Sequence, residues 1–174
     1  MIEYKIGDLF DCVDWKTSTI KLIPHCCNNI GRFGSGFAGA VAKRHPHVQQ
    51  RYFDWFQEQV DFASGKPFAL GEFQSVQLDP AFGRSFILNM IGQNGVVGPD
   101  NRKPVKYGYL QRCVEDIGKM VQHFNGHNQV SQDVEICTVK FGAGLAGGEW
   151  PIIEEYLLDS WVSRGIKVTI FDLV

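Results

Sequence analysis

The sequence predicts an α/β fold, a three-layer α/β/α sandwich around a mixed, mainly parallel sheet. Three observations carry that expectation. Strand-like and helix-like segments alternate in the first and last thirds of the chain, with a hairpin between them. The run Ile20 to Cys26 is almost continuously apolar, as a strand covered on both faces is. Two glycine-rich loops each follow a strand and precede a helix.

Each element has its own signal. Ile2 to Ile6 alternates and reads as a strand, ended by Gly7-Asp8-Leu9-Phe10. Residues 11 to 19 connect it to the strand Ile20 to Cys26. A loop follows with the amides Asn28 and Asn29 and the glycines Gly31, Gly34 and Gly36. A small-residue helix then runs from Phe37 to Arg44 and stops before Pro46. Val48 to Phe62 reads as a second helix, with Tyr52, Trp55, Phe56 and Val60 as a core-packing stripe. Ala63 to Pro67 is a turn. Phe73 to Leu78 and Ser85 to Ile91 form a hairpin about Asp79 to Gly83. Gly92 to Pro104 is a polar loop, either a surface excursion or a lid. Tyr107 to Phe124 is an amphipathic helix, with Leu110, Val114, Ile117 and Val121 on its inner face. Asn125 to Gln132 is a polar connector. The strand Val134 to Val139 leads into the second loop, Gly142 to Gly148. A helix from Ile152 to Val162, with Trp161 facing inward, and the strand Lys167 to Phe171 complete the chain.

Composition narrows the class. The 174 residues read as one domain over 1–174, and 44% apolar content is enough for a real core. A net charge of −2 argues against a general nucleic-acid binder. The five cysteines are odd in number and lack a C-x-x-C, which predicts free thiols in a reducing cytoplasm. The vicinal pair Cys26-Cys27 has no second ligand pair at metal spacing. His45-x-His47 at a helix end reads as a solvated C-cap rather than a metal site. There is no signal-peptide pattern and no apolar run of the roughly 18 residues that a membrane span needs.

The two loops point to the chemistry. Glycines let the backbone approach an anion closely, and unpaired N–H groups at a helix start point at it. Gly34, Ser35, Gly36 and Phe37 form one such cradle; Gly142, Ala143, Gly144, Leu145, Ala146 and Gly147 form the other. Two cradles suggest a ligand with several phosphates, or a diphosphate, held in a crevice. Asp8, at a turn, is either a local cap or an acceptor for an amino group at the rim of the sheet.

The stretches GDLF, HCCNNIGRFGSGFAGAV, FGAGLAGGEW and VTIFDL, in this order, resemble the marks of a macrodomain, the ADP-ribose-binding α/β/α module. The resemblance covers nearly the whole chain. It implies that Asp8 accepts from the adenine amino group, with the backbone of Leu9 beside it, and that Phe171 stacks on adenine. It implies that the two glycine cradles hold the diphosphate and distal ribose, and that Asn28 hydrogen-bonds that ribose. From the residues alone, Asp8 as a turn cap, Phe171 as a core aromatic and Asn28 as a loop brace stand as alternatives.

Within the family, HCCN and LAGGEW resemble a branch with yeast-type ADP-ribose 1″-phosphate phosphatases and terminal ADP-ribose protein glycohydrolases. The phosphatases carry a histidine at the position of His25. The glycohydrolases use a lysine and an aspartate at positions corresponding here to Gln93 and Ala146, neither of which supplies that chemistry. Lys103 and Lys106 are the nearby lysines that would have to replace it. The implied activity is binding of ADP-ribose and hydrolysis of ADP-ribose 1″-phosphate. His25 would serve as general acid, base or water positioner, or would only brace the loop, and Asn28 would orient the ribose. The alternatives are a non-catalytic ADP-ribose reader and a hydrolase that removes ADP-ribose from a protein or nucleic-acid linkage. A Rossmann-type NAD enzyme lacks support, because no G-x-G-x-x-G with a following acidic residue is present. The implied partners are ADP-ribose, its 1″-phosphate and ADP-ribosylated macromolecules. No motif calls for a metal or cofactor, and the expectation is a cytoplasmic monomer away from membranes.

Overall fold

The computed structural model describes residues 1–59, 68–127 and 133–173. The elements run β1 (Ile2–Ile6), α1 (Leu9–Cys12), β2 (Ile20–Asn28), α2 (Gly36–Arg44), α3 (Pro46–Gln59), β3 (Phe73–Gln77), β4 (Ser85–Gln93), α4 (Tyr107–His127), β5 (Val134–Val139), α5 (Trp150–Ser160) and β6 (Lys167–Asp172). The six strands form one sheet in the order β1-β6-β5-β2-β4-β3. β3 is antiparallel to β4, and every other pairing is parallel. The α/β/α sandwich with a mixed, mainly parallel sheet is therefore the observed architecture.

The alternation of side chains along the strands divides the core in two. Leu22, Leu88, Met90, Ile136, Val168 and Ile170 pack against α4 and α5, with Leu110, Ile117, Ile153, Leu157 and Trp161. Ile23, Cys27, Ile87, Ile91, Cys137 and Phe171 pack on the opposite face, with Leu9, Phe10, Val41, Val48 and Tyr52. Burying each such aliphatic side chain contributes about 1.5–3 kcal/mol, so the covered central strands dominate the fold's stability. Among the described residues no helix is long and apolar enough to cross a membrane.

Helix boundaries follow local chemistry. Ser35 is the N-cap of α2 and makes no side-chain cap hydrogen bond. His45 closes α2, with its N–H donating to Val41 O at 2.7 Å. Pro46 then opens α3, two residues earlier than the apolar pattern indicates, because proline suits a first helical position. Pro151 does the same for α5, which begins at Trp150 rather than Ile152. A 3-10 turn at Val162–Arg164 follows α5, so Trp161 lies just past the helix; it is fully buried and donates Nε1–H to Val114 O at 2.8 Å.

Other expectations need correction. The connection after β1 contains a short helix, α1, started by the Asp8 cap. β2 extends to Asn28, which ends a strand instead of lying in the loop. His45 is a C-cap but not a solvated one. It is 1% exposed, wedged against Phe10 and Phe82 at ring separations of 5.2 and 4.6 Å. Tertiary packing of α1 and the 80–82 turn decides that burial. Val60 and the Ala63 to Pro67 turn lie outside the described residues, as does most of the connector before β5.

Candidate functional site

β2 feeds helices on one face of the sheet and β5 feeds α5 on the other, and the two strands are neighbours. That is a topological switch point, where the loops diverge and leave a crevice beyond the carboxyl ends of the strands. A cavity of about 330 Å³ occupies this place. Its floor is the end of β2 at His25 to Asn28; its walls are Arg32 to Ala38, Gln93 with Val96 and Val97, Val139 to Gly142, and Gly144 to Ala146.

The first loop is held by side chains. Asn28 Oδ1 accepts from the N–H groups of Ile30 (3.1 Å) and Arg32 (3.2 Å), and Asn28 Nδ2 donates to Arg32 O at 2.6 Å. The Tyr52 hydroxyl donates to Asn28 O at 2.8 Å and lies 3.1 Å from Oδ1. A register shift between Cys27 and Asn28 in the pairing with β4 aims this amide into the turn. Asn29 reaches the other way. Its Nδ2 donates to Asn94 Oδ1 at 3.0 Å and its Oδ1 accepts from Gly95 N at 2.8 Å, pinning the loop after β4 to the loop after β2. That later loop is itself closed by Asn94 N to Pro104 O and by the Gly98–Asn101 pair. It is therefore a hydrogen-bonded wall in this structure.

The second loop is held by its own backbone. Gly148 N donates to Gly142 O (2.8 Å), Gly147 N to Gly144 O (3.0 Å), and Val105 N to Ala146 O (3.0 Å). A Cβ on Gly147 would sit 2.8 Å from Arg102 O, and Gly147 has φ of 75°, so only glycine fits there without strain. At Gly34 and Gly144, by contrast, a Cβ would meet nothing within 4 Å: both positions open onto free space.

The helix start at Gly36, Phe37 and Ala38 faces the cavity, and Ser35 leaves it uncapped. Its free N–H groups and the helix dipole favour negative charge there. Among the described residues no Asp or Glu lines the cavity, although the chain has 19 of them, and the lining cations are Arg32 and Lys140. Lys140 Nζ is paired with Asp172 Oδ2 at 2.6 Å. Arg32 is exposed and makes no ion pair among the described residues.

His25 is 1% exposed, between the rings of Phe33 and Phe37 at 5.6 and 5.5 Å. Its Nε2–H donates to Asn89 Oδ1 at 2.6 Å; the Asn89 amide is oriented by donating to Gln74 Oε1 at 3.0 Å. Burial pushes the imidazole down to about 4, outweighing the opposing effect of Asn89. His25 is thus neutral at pH 7. The cavity thiols are likewise inert: burial pushes Cys26 up to about 12 and Cys27 well above the ordinary range. Among the described residues no group of three or more His, Cys, Asp or Glu side chains is placed to hold a metal ion.

The structure brings together His25, Asn28, Gly34, Ser35, Gly36, Phe37, Gly142, Gly144, Leu145 and Ala146 around one cavity. Ala143 and Gly147 belong to the same loop but are not part of the lining. Asp8, Leu9 and Phe171 are also outside the lining. Asp8 accepts from Phe10 N at 2.8 Å and pairs with Arg44 Nη2 at 3.0 Å. Leu9 and Phe171 are buried in the core on the α2/α3 face, Phe171 at 4% exposure. Sequence reasoning did not select Arg32, Val96, Val97 or Lys140. An arginine set between two glycines of an anion loop is a signal that was there to read.

This arrangement of sheet, helices and crevice is the macrodomain fold. No protein-family model matches the chain, and no curated protein does. Among solved structures, the chain is similar to a protein of unknown function from Bacteroides thetaiotaomicron (28% identity, 99% of this chain and 98% of that one, TM-score 0.79). It is similar to a macrodomain protein from Streptomyces coelicolor (29% identity, 99% of each chain, TM-score 0.73). It also shares its fold with Thermosipho africanus DarTG, solved in complex with ADP-ribose (14% identity, 97% of this chain and 41% of that one, TM-score 0.68).

Proposed function

We propose that this protein binds ADP-ribose in the crevice at the ends of β2 and β5. The observation that carries the reading is the chemistry of the lining. Two glycine loops and an uncapped helix start face one cavity whose lining, among the described residues, has two cations and no carboxylate. Such a lining suits a diphosphate held by backbone N–H groups. The solved complex of Thermosipho africanus DarTG, which shares this fold, with ADP-ribose supports the choice of ligand. Calorimetric titration with ADP-ribose tests it: saturable binding is expected, and its absence in folded protein would overturn the reading.

A second step, hydrolysis of ADP-ribose 1″-phosphate to ADP-ribose and phosphate, is favoured over removal of ADP-ribose by a lysine nucleophile. Gln93 and Ala146 stand in the lining where the resemblance asks for lysine and aspartate. Neither Lys103 nor Lys106 lines the cavity; Lys103 sits over the Tyr107 ring at 4.8 Å and pairs with Glu149 at 3.8 Å. Phosphoryl transfer asks mainly for positioning and fixed charge stabilisation, which the cradles supply. A water oxygen bonds to phosphorus as the bond to the ribosyl oxygen breaks, and the water's proton ends on the leaving ribose hydroxyl or the phosphate. His25, neutral and bonded to Asn89, shapes the floor in this scheme and does not carry the proton. Phosphate release that persists within about threefold in His25→Gln is the expected result, against the 10²–10⁴-fold loss that removal of a general acid or base gives.

A further inference from the structure

We propose that Arg32 is a specificity-determining residue that reads an anionic substituent on the distal ribose. This rests on the ADP-ribose reading of the cavity and names what that site discriminates.

The placement follows from the sheet. Asp8 follows β1 and Phe171 lies in β6, at one side of the sheet; the cavity extends across the ends of β5, β2 and β4. From β6 to β4 is three strand spacings, about 14 Å. Arg32 belongs to the β4 end of this line. Asn29 is stapled to Asn94 and Gly95 beyond β4, so residues 30–32 and the lining pair Val96 and Val97 flank the same end of the cavity. A ligand with its adenine toward Asp8 points its far ribose here.

The charge is uncommitted. Nine other lysines and arginines of the described residues hold ion pairs, Lys140 among them. Among the described residues Arg32 holds none, and no carboxylate lines the cavity to attract it. Its backbone is fixed on both sides of the peptide by Asn28, so the side chain leaves from a rigid point. A guanidinium at such a point presents several donors in a planar fork that matches two oxygens of a phosphoryl group. The ribose hydroxyl of unmodified ADP-ribose offers no such pair of charged oxygens.

The experiment compares two ligands on three proteins: ADP-ribose and ADP-ribose 1″-phosphate, with wild type, Arg32→Ala and Arg32→Lys, by titration. Where phosphate is released during the measurement, the same preference is read from KM, apart from kcat. The wild type is expected to favour the 1″-phosphate about tenfold, the worth of one charge-assisted contact near a surface. Arg32→Ala is expected to cost affinity for the 1″-phosphate about tenfold more than affinity for ADP-ribose and so abolish that preference, and Arg32→Lys to retain part of it. A wild type that binds both ligands equally, or an Arg32→Ala that keeps the preference, overturns the role of Arg32 and leaves ADP-ribose binding intact. A wild type that binds neither ligand overturns the underlying reading as well. An Arg32→Ala that loses both ligands alike makes Arg32 a general affinity residue and overturns its part in discrimination.

Discussion

Between Asn28 and Gly36 the chain is held in place by side chains; between Phe141 and Gly148 it is held by its own backbone. Residues of both stretches line one cavity. In the first, Asn28, Asn29, Tyr52 and Gln49 each supply hydrogen bonds, the last donating to Phe33 O. In the second, two hydrogen bonds run glycine to glycine and a third runs from Val105 N to Ala146 O, and two glycines approach carbonyls too closely for a side chain. The difference teaches where each cradle is vulnerable. A loop braced by side chains loses its braces one substitution at a time. A loop braced by close backbone approach fails at a single Cβ, since interiors relax only partly around added volume.

The largest effect on stability should therefore come from the second loop. A Cβ on Gly148 would press directly on Gly142 O, which accepts the Gly148 N–H in the same turn. Gly148→Ala is expected to cost about 3 kcal/mol, the upper range for forced overpacking, in denaturant melts. A cost below about 1 kcal/mol would show that this loop yields, and would erase the contrast. In the first loop, Asn28→Ala removes an acceptor from two N–H groups and a donor from Arg32 O. Those groups lie near the surface and recover some hydration, so about 2 kcal/mol is expected. Asn28→Asp keeps the acceptor and should fall between Asn28→Ala and the wild type.

This contrast was only half legible in the sequence. Spacing placed both loops between strand and helix, because apolar periodicity and glycine clusters are local signals. What each asparagine touches is not local. Asn28 reads as a ribose ligand or a loop brace; that Tyr52 arrives from α3 and that the pairing with β4 shifts beside it are not written in its neighbours. His45 shows the same limit. Beside His47 and a proline it looks exposed; Phe10 and Phe82, distant in sequence, bury it. Among the described residues its Nε2 has no hydrogen-bond partner, a cost no motif announces. The cavity lining was legible where it consists of loop glycines. It was not legible at Val96, Val97 and Lys140, which the topology of β4 and β5 brings there.

His25 beneath the first loop gives a pH-dependent version of the comparison. Its folded value is about 4, against 6.5 for an ordinary imidazole. The unfolded chain then binds more protons between these values, so stability is full above 6.5 and falls as pH drops toward 4. The expected loss from this group by pH 5.5 is about 1.4 kcal/mol. Burial also holds His45 below its ordinary value, which adds a loss of the same sign. The reading is therefore the difference between wild type and His25→Gln in melts from pH 7.5 to 5. Parallel curves for the two proteins would mean that His25 is solvated after all, and that the first loop rests on a softer floor.

The smallest effect on stability should come from glycines that face the empty cavity. A Cβ at Gly34 or at Gly144 meets nothing within 4 Å, and neither position has the left-handed backbone that penalises a side chain. Gly34→Val and Gly144→Val should each leave stability within about 0.5 kcal/mol of wild type. The isopropyl groups would instead occupy ligand space, one from each loop. If both loops hold the diphosphate, each substitution should weaken ADP-ribose binding at least tenfold, about 1.4 kcal/mol. Equal losses would mean that the two cradles share the ligand, although one is made of side-chain braces and the other of bare backbone. A loss at Gly34 alone would give the anion to the start of α2, with its uncapped N–H groups, and leave the second loop as a wall. A folded Gly144→Val or Gly34→Val protein with unchanged affinity in both cases would move the ligand out of this cavity.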